Sequence, residues 1–384
     1  MVKTVSPSVR NDGIDSLRGF SILTVILLHC YIHMPFINNV LPQKIFNIIF
    51  RSGYYGVILF FVISGFLITS TSLKRWGNLR NISLWKFYQM RFARIMPCFL
   101  ILLMILSMLD ILGIPGFVIK TTSLAQTLFS ALTFQINWLE AKTGYLPANW
   151  DILWSLSVEE VFYLFFPLTC LIFRKPYYFA LAMLMFIIIG PFARVLFTDN
   201  GIWSDHSYLS CMDGIAVGCL AALISHYFKL NKKQFLFFLF LGILFYSFIF
   251  IFRKQAYDIG ISEIGLNVTM LEVGIGLILI AMQNWYSKGD HSGSLWTAPL
   301  RWFGRNSYEI YLTHSFFIIA IAKILFNTNQ SVLVIVFWYA ISITLSGIIG
   351  QLVSTYFSEP MNRLIRVKNE GIRELDEVVS INKL

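Results

Sequence analysis

The sequence predicts an all-α integral membrane protein, a polytopic bundle of about ten transmembrane helices with both termini cytoplasmic. Three observations carry that prediction. Hydrophobic residues make up 57% of the chain and charged residues 13%, roughly half the charged share of a soluble domain. Apolar runs of ~20 residues, enough to cross ~30 Å of hydrocarbon, recur along the whole length. With the N-terminus placed inside, 22 Lys and Arg fall on inner segments and 8 on outer segments or outer span ends. The positive-inside rule requires this loop-by-loop alternation, and an odd number of spans would break it.

Spans are expected at 16–36, 54–74, 93–113, 152–173, 177–197, 209–228, 234–252, 264–283, 308–326 and 332–355. Residues 1–13 form a polar cytoplasmic lead, 14–357 one membrane domain, and 358–384 a cytoplasmic tail whose RVKNEGIRELDEVV stretch has helical spacing. The longest outer segment, 114–151, contains TTSLAQTLFSALTFQI. This is apolar but short for a span, so an interfacial or re-entrant helix is expected there. No inverted repeat of the kind that marks many transporters is visible. The first span lacks a small-residue cleavage site and does not read as a signal peptide.

The net charge of +10 follows from the orientation bias and gives no ground for a nucleic-acid partner. It also suits a basic cytoplasmic mouth for an anionic ligand. Cys30, Cys98, Cys170, Cys211 and Cys219 all fall in spans, without a C-x-x-C pair, and read as small buried apolar residues. Neither an H-x4-D motif nor a G-x-S-x-G elbow is present.

An ionisable side chain within a span costs about 2.5–3.5 kcal/mol unless it meets a partner or water, so each one is a candidate. Arg18 and His29 in SLRGFSILTVILLHCYIH are eleven residues apart. They share one helix face, ~16 Å apart along the axis, with Asp15 one turn before Arg18. His33 lies one turn beyond His29, but no third ligand is evident and no metal site is expected. Ser64-Gly65 in GYYGVILFFVISGFLITS invites close helix approach. A nucleophilic Ser64 would need a base that only folding could bring. Arg91 and Arg94 share a face at the start of the third span, and two guanidinium forks suit phosphate. In NWDILWSLSVEEVFYLFFP, Glu159 lies on the face of Ser155 and Tyr163, next to Glu160. His314 stands inside WFGRNSYEIYLTHSFF, Asp213 is expected to pair with Arg194, and Glu359-Pro360 is a further polar outlier. Each group also has a bland reading: snorkelling for Arg18, orientation charges for Arg91 and Arg94, core packing for the histidines.

Taken together, DSLRGFSILTVILLH, GVILFFVISGFLIT, RFARIMP, WSLSVEEVFYLFFP, CMDGIAVGCLAA, FGRNSYEIYLTH and FSEP occur in this order over residues 12–362. The set resembles the membrane-bound acyltransferase 3 family, whose members O-acylate bacterial glycans. The resemblance maps an Arg-x10-His pair onto Arg18 and His29, an Arg-x-x-Arg pair onto Arg91 and Arg94, and the family glutamate onto Glu159 rather than Glu160. One departure is Cys211-Met212-Asp213, where many members carry Arg before the aspartate. The resemblance implies acyl-CoA, acetyl-CoA first, as a cytoplasmic co-substrate, with no tightly bound cofactor. It implies a surface glycan or lipid-linked saccharide as acceptor and a multi-pass protein of the bacterial inner membrane. The acyl group either passes directly to the acceptor or is handed to a separate extracytoplasmic transferase. His29 is then the general base, with a relay through acyl-His29 or acyl-Ser64 an equal route, Glu159 its orienting carboxylate, and Arg18, Arg91 and Arg94 the donor's phosphate ligands. Asp15, Ser64, Trp154, Ser155, Tyr163, Tyr308 and His314 form the supporting set. The alternative is a multi-span transporter or flippase that uses the same charges as a proton or anion relay.

Overall fold

The computed structural model describes residues 11–35, 41–196, 200–286, 294–324 and 331–366. Ten long helices run through it: α1 (Asp12–His33), α2 (Gly53–Trp76), α3 (Leu84–Ile111), α4 (Leu153–Ile172), α5 (Pro176–Val195), α6 (Tyr208–Tyr227), α7 (Lys232–Ile251), α8 (Leu266–Tyr286), α9 (Ser307–Ile324) and α10 (Val332–Val353). One stands at each expected span. Among the described residues, nine of them are long and apolar enough to cross a membrane. The tenth, α9, is an 18-residue helix that carries Glu309, His314 and Lys323. α3 starts well before residue 93, because LWKFYQMRF continues the helix beyond the apolar run. The expected span ends at 36, 197 and 325–326, the lead before residue 11 and the tail after 366 lie outside the described residues.

Between α3 and α4 the chain forms two short helices, Leu124–Leu132 and Ile136–Thr143, where one interfacial helix was expected. α2 and the Gly201–Tyr227 segment are central, with 72% and 78% of their apolar windows buried. The Lys232–Ile251 helix is peripheral at 17%, and its outward Phe237 and Phe240 are left to lipid.

Glycines set the closest approaches. A side chain at Gly65 would strike the Ile215 carbonyl, and one at Gly218 the Val62 carbonyl, so the α2 and α6 backbones are in contact. Gly19 lies on the backbone of Leu300, and Gly304 on that of Asp15, which locks α1 to the short helix Ala298–Arg305. Gly53 faces Leu28 and Gly56 faces Thr24, which fixes α1 and α2 as antiparallel.

Arg194 on α5 binds Asp213 on α6 through both guanidinium nitrogens, Nη2–Oδ2 at 2.6 Å and Nη1–Oδ1 at 3.1 Å. Thr269 on α8 donates to the same carboxylate at 2.9 Å. The expected Arg194–Asp213 pair is therefore a buried tie between three helices. The cation at Asp213 comes from another helix rather than from position 211.

Candidate functional site

A cavity of about 520 Å³ opens among the N-terminal half of α1, most of α2, the start of α3, the first half of α4 and the start of α9. Along α2 it is lined from Trp76 to Val57. That is nineteen residues, or ~28 Å, nearly the thickness of the hydrocarbon core. Arg18, Arg75, Arg91, Arg94, Arg305 and Arg366 line it, against the carboxylates Asp15, Glu159, Glu309 and Glu359.

Most of these groups are held by specific partners. Asp15 is buried and meets Arg305 Nε at 3.4 Å, while Asp12 meets Arg305 and Arg301 at 3.3 and 3.5 Å. Arg91 lies 4.3 Å above the Tyr163 ring centroid, a cation–π contact that leaves its donors aimed elsewhere. Tyr308 donates to the Ile95 carbonyl at 2.9 Å, one residue past Arg94, and so ties α9 to α3. Ser358 donates to Glu309 at 2.7 Å, from a π-helical turn (Ser354–Ser358) that follows α10. Such turns recur at functional sites.

On the inner wall Tyr163 donates to Glu159 Oε2 at 3.2 Å, and the Ser64 hydroxyl is hydrogen-bonded to Tyr163. The charges of Arg91 and Arg18 act on the same carboxyl. Arg18, Arg91, Arg94, Glu159, Ser64, Ser155, Tyr163, Tyr308 and Asp15 are thus brought into one cavity, as the sequence suggested.

Several expectations change. His29 does not line the cavity: its ring packs edge-on to His314 at 4.9 Å and lies 6.4 Å from His33. By the α1–α2 register, Val57 is level with residues 23–24 of α1. His29 therefore lies five or six residues, ~8–9 Å, beyond the cavity's deepest point. No hydrogen bond joins His29 to Glu159 among the described residues, so the expected imidazole–carboxylate couple is not a direct contact. Ser64 lies eleven residues, ~16 Å, below Gly53 on α2, so the His29 ring is not its base. Trp154 is not in the lining either: it stacks flat on His206, centroids 3.8 Å apart and planes 3° apart.

Between cavity and imidazoles lies Tyr311. Its hydroxyl meets Ser155 Oγ at 2.7 Å and donates to the Ile152 carbonyl at 3.0 Å. Its ring touches Phe60 on the cavity side and His314 on the other, at 6.3 and 5.9 Å. His314 is buried, with Nδ1 2.7 Å from the Tyr311 carbonyl and 3.2 Å from that of Ile310. That places its proton on Nδ1 and leaves Nε2 as an acceptor, 3.2 Å from Ser315 Oγ.

The far end holds a second polar cluster. Glu140, in Ile136–Thr143, is fully buried and accepts from the Leu146 amide at 3.1 Å, with its other oxygen 3.7 Å from His206 Nδ1. Burial and the neighbouring Asp151 hold the Glu140 carboxyl well above its ordinary range. Burial raises Asp151 to about 6.

Sequence reasoning missed Arg75, Arg305 and Arg366, which it counted only as orientation charges, and it did not single out Tyr311 or Phe60. Tyr311 had one signal: it stands one turn before His314, on the cavity-facing side of α9.

Residues 11–351 match the family described as an acyltransferase domain. An O-acetyltransferase OatA of Staphylococcus aureus (strain NCTC 8325) is 26% identical over 91% of this chain and 57% of its own length. A peptidoglycan O-acetyltransferase OatA of Listeria monocytogenes is 24% identical over 91% of this chain and 56% of its own. A second protein of Staphylococcus aureus (strain COL), named as a putative O-acetyltransferase, is 26% identical over 95% and 58%. The chain thus spans a little over half the length of these curated relatives. No solved structure matches.

Proposed function

The chain belongs to this acyltransferase family, and we propose that it is a membrane O-acetyltransferase that takes the acetyl group of cytoplasmic acetyl-CoA to a hydroxyl of a surface glycan or lipid-linked saccharide. The observation that carries this reading is the deep, arginine-lined cavity with Glu159 on its wall. A strongly anionic donor matches six guanidiniums at the mouth and wall. A ~28 Å channel suits a long, thin ligand whose reactive end must travel through the bilayer. The relatives' names, O-acetyltransferase and peptidoglycan O-acetyltransferase, point to the same reaction class.

In this scheme Arg18, Arg91 and Arg94 hold the phosphates and the cofactor arm. Glu159, fixed by Tyr163, accepts hydrogen bonds from the arm's amides. The acceptor comes from the bacterial cell's outer side of the inner membrane, towards His29. The acceptor oxygen forms the new ester bond to the acyl carbon while the thioester C–S bond breaks. Once the floor at Tyr311 parts and the acyl carbon reaches the imidazoles, the hydroxyl proton goes to His29, and the thiolate withdraws to the cavity, where it is protonated.

Purified protein in nanodiscs should bind coenzyme A and release it from acetyl-CoA when the host's glycan fraction is added. Arg91→Ala should weaken coenzyme A affinity at least ~10-fold, the loss expected for a charge-assisted phosphate contact. A relay transporter would release no coenzyme A. Deletion in the host should remove an acetyl mass from the surface glycans.

A further inference from the structure

We infer that Phe60 and Tyr311 form a floor that measures the donor's acyl group as the donor binds, before transfer, and confines the enzyme to short chains. The inference rests on the acyl-CoA reading above and deepens it by assigning the residues that set chain length.

The floor is built from three helices. Val57 and Phe60 come from α2, Tyr311 and Leu312 from α9, and Ser155 from the first turn of α4. Its polar atoms are already engaged. The Tyr311 hydroxyl donates to the Ile152 carbonyl and accepts from Ser155 Oγ at 2.7 Å, and Ser155 Oγ lies 3.1 Å from that same carbonyl. The surface left to a ligand is therefore aromatic and aliphatic, suited to an acyl methyl and not to a charged or hydroxylated end.

The floor is also stiff. Tyr311 is bonded at its tip and its ring packs edge-on to Phe60 and tilted against His314. Asn149 pins the neighbouring turn of α9, donating to the Leu312 carbonyl at 2.7 Å. Behind α2's end of the floor, Gly53 and Gly56 press directly on α1, so Val57 cannot recede. A wall of this kind rejects extra methylenes by overlap instead of yielding to them.

The arginines fix the other end of the donor. With the phosphates held at the mouth and the floor closed as the donor binds, the distance between them sets the length of arm plus acyl group. Phe60 is the larger of the two α2 floor residues and its ring fills the corner against Tyr311, so it is the residue whose truncation lengthens the site.

The test is a binding ladder on the full-length protein in nanodiscs, using coenzyme A, acetyl-CoA, butyryl-CoA and hexanoyl-CoA with calorimetry. Wild type should favour acetyl-CoA over butyryl-CoA by at least ~10-fold, the lower end of what a methylene is worth in a shaped pocket. Phe60→Ala should move the acetyl-to-hexanoyl affinity ratio at least ~10-fold towards hexanoyl, and Phe60→Leu part of the way. A role in folding alone would lower every affinity together and leave that ratio where it was. Equal affinity of wild type for all chain lengths, or unchanged ratios in both variants, overturns the acyl-length floor alone. Failure of wild type to bind coenzyme A and acetyl-CoA overturns the donor reading beneath it.

Discussion

At the residue scale, the divided placement of His29 and Glu159 gives opposite expectations for two variants that sequence reasoning would treat alike. His29→Ala should abolish glycan acetylation yet keep coenzyme A affinity within ~3-fold of wild type, because the ring lies outside the donor cavity. Glu159→Gln should lose acetylation and disturb donor binding too, because its carboxyl is on the cavity wall. Calorimetry beside mass analysis of the glycans checks both. Glu140 and Asp151 make a different prediction. Both carboxyls are raised in the folded protein, Asp151 to about 6. The folded state therefore holds protons that the unfolded chain, with ordinary carboxyls near pH 4, has already released. Folding stability should fall as pH rises from about 4 through 6 and level off above the folded values. Glu140→Gln should flatten that slope in thermal melts, and an identical slope in the variant would count against the pair. Arg18, Arg91 and Glu159 were legible as single residues, since a charge in an apolar run is conspicuous. Tyr311 was not: its place one turn before His314 is a faint signal, and a tyrosine on an apolar helix does not announce that it separates two chambers.

At the element scale, the ten long helices were legible because hydropathy and length alone specify a span, and the caps confirm their ends. Asn11 accepts from the amides of Gly13 and Ile14 at the head of α1, and Asn231 with Gln234 closes a reciprocal box at the head of α7. What hydropathy could not give is which faces meet. Ser64-Gly65 was expected to permit close approach, and Gly65 does so against α6 while Ser64 turns to Tyr163. Gly65→Val should cost about 3 kcal/mol by forcing the two backbones apart. It should appear as a lower melting temperature and poor yield. Gly77, which ends α2 at positive φ with nothing within 4 Å of an added side chain, should tolerate Asn far better. The difference between the two sites measures backbone contact rather than glycine content.

At the scale of the whole molecule, the orientation expected from the basic residues would put the arginine mouth and the N-terminus on the same, cytoplasmic side. Arg75→Cys, in a variant whose five native cysteines are replaced by serine or alanine, should react with a membrane-impermeant maleimide only after the cells are opened. Tyr145→Cys, on the segment leading to α4, should react in intact cells. Reversed labelling would invert the proposed direction of acyl transfer. The division of the bundle into an arginine-lined half and an imidazole half was only half legible. Its parts lay in the sequence, but their separation depends on how α9 and α4 dock, which no single-helix pattern encodes.

The thin floor under the cavity has an electrical consequence. A water-filled channel ~28 Å deep carries little of the membrane voltage, so most of the potential drop falls across the ~8–9 Å layer between Val57 and His29. With donor and acceptor on the sides proposed, each turnover exchanges one acyl group outward for one proton inward through that layer, and both sides carry the same charge after the exchange as before. The voltage concentrated there therefore does no net work on ester formation, and collapsing it should leave the extent of acetylation where it was.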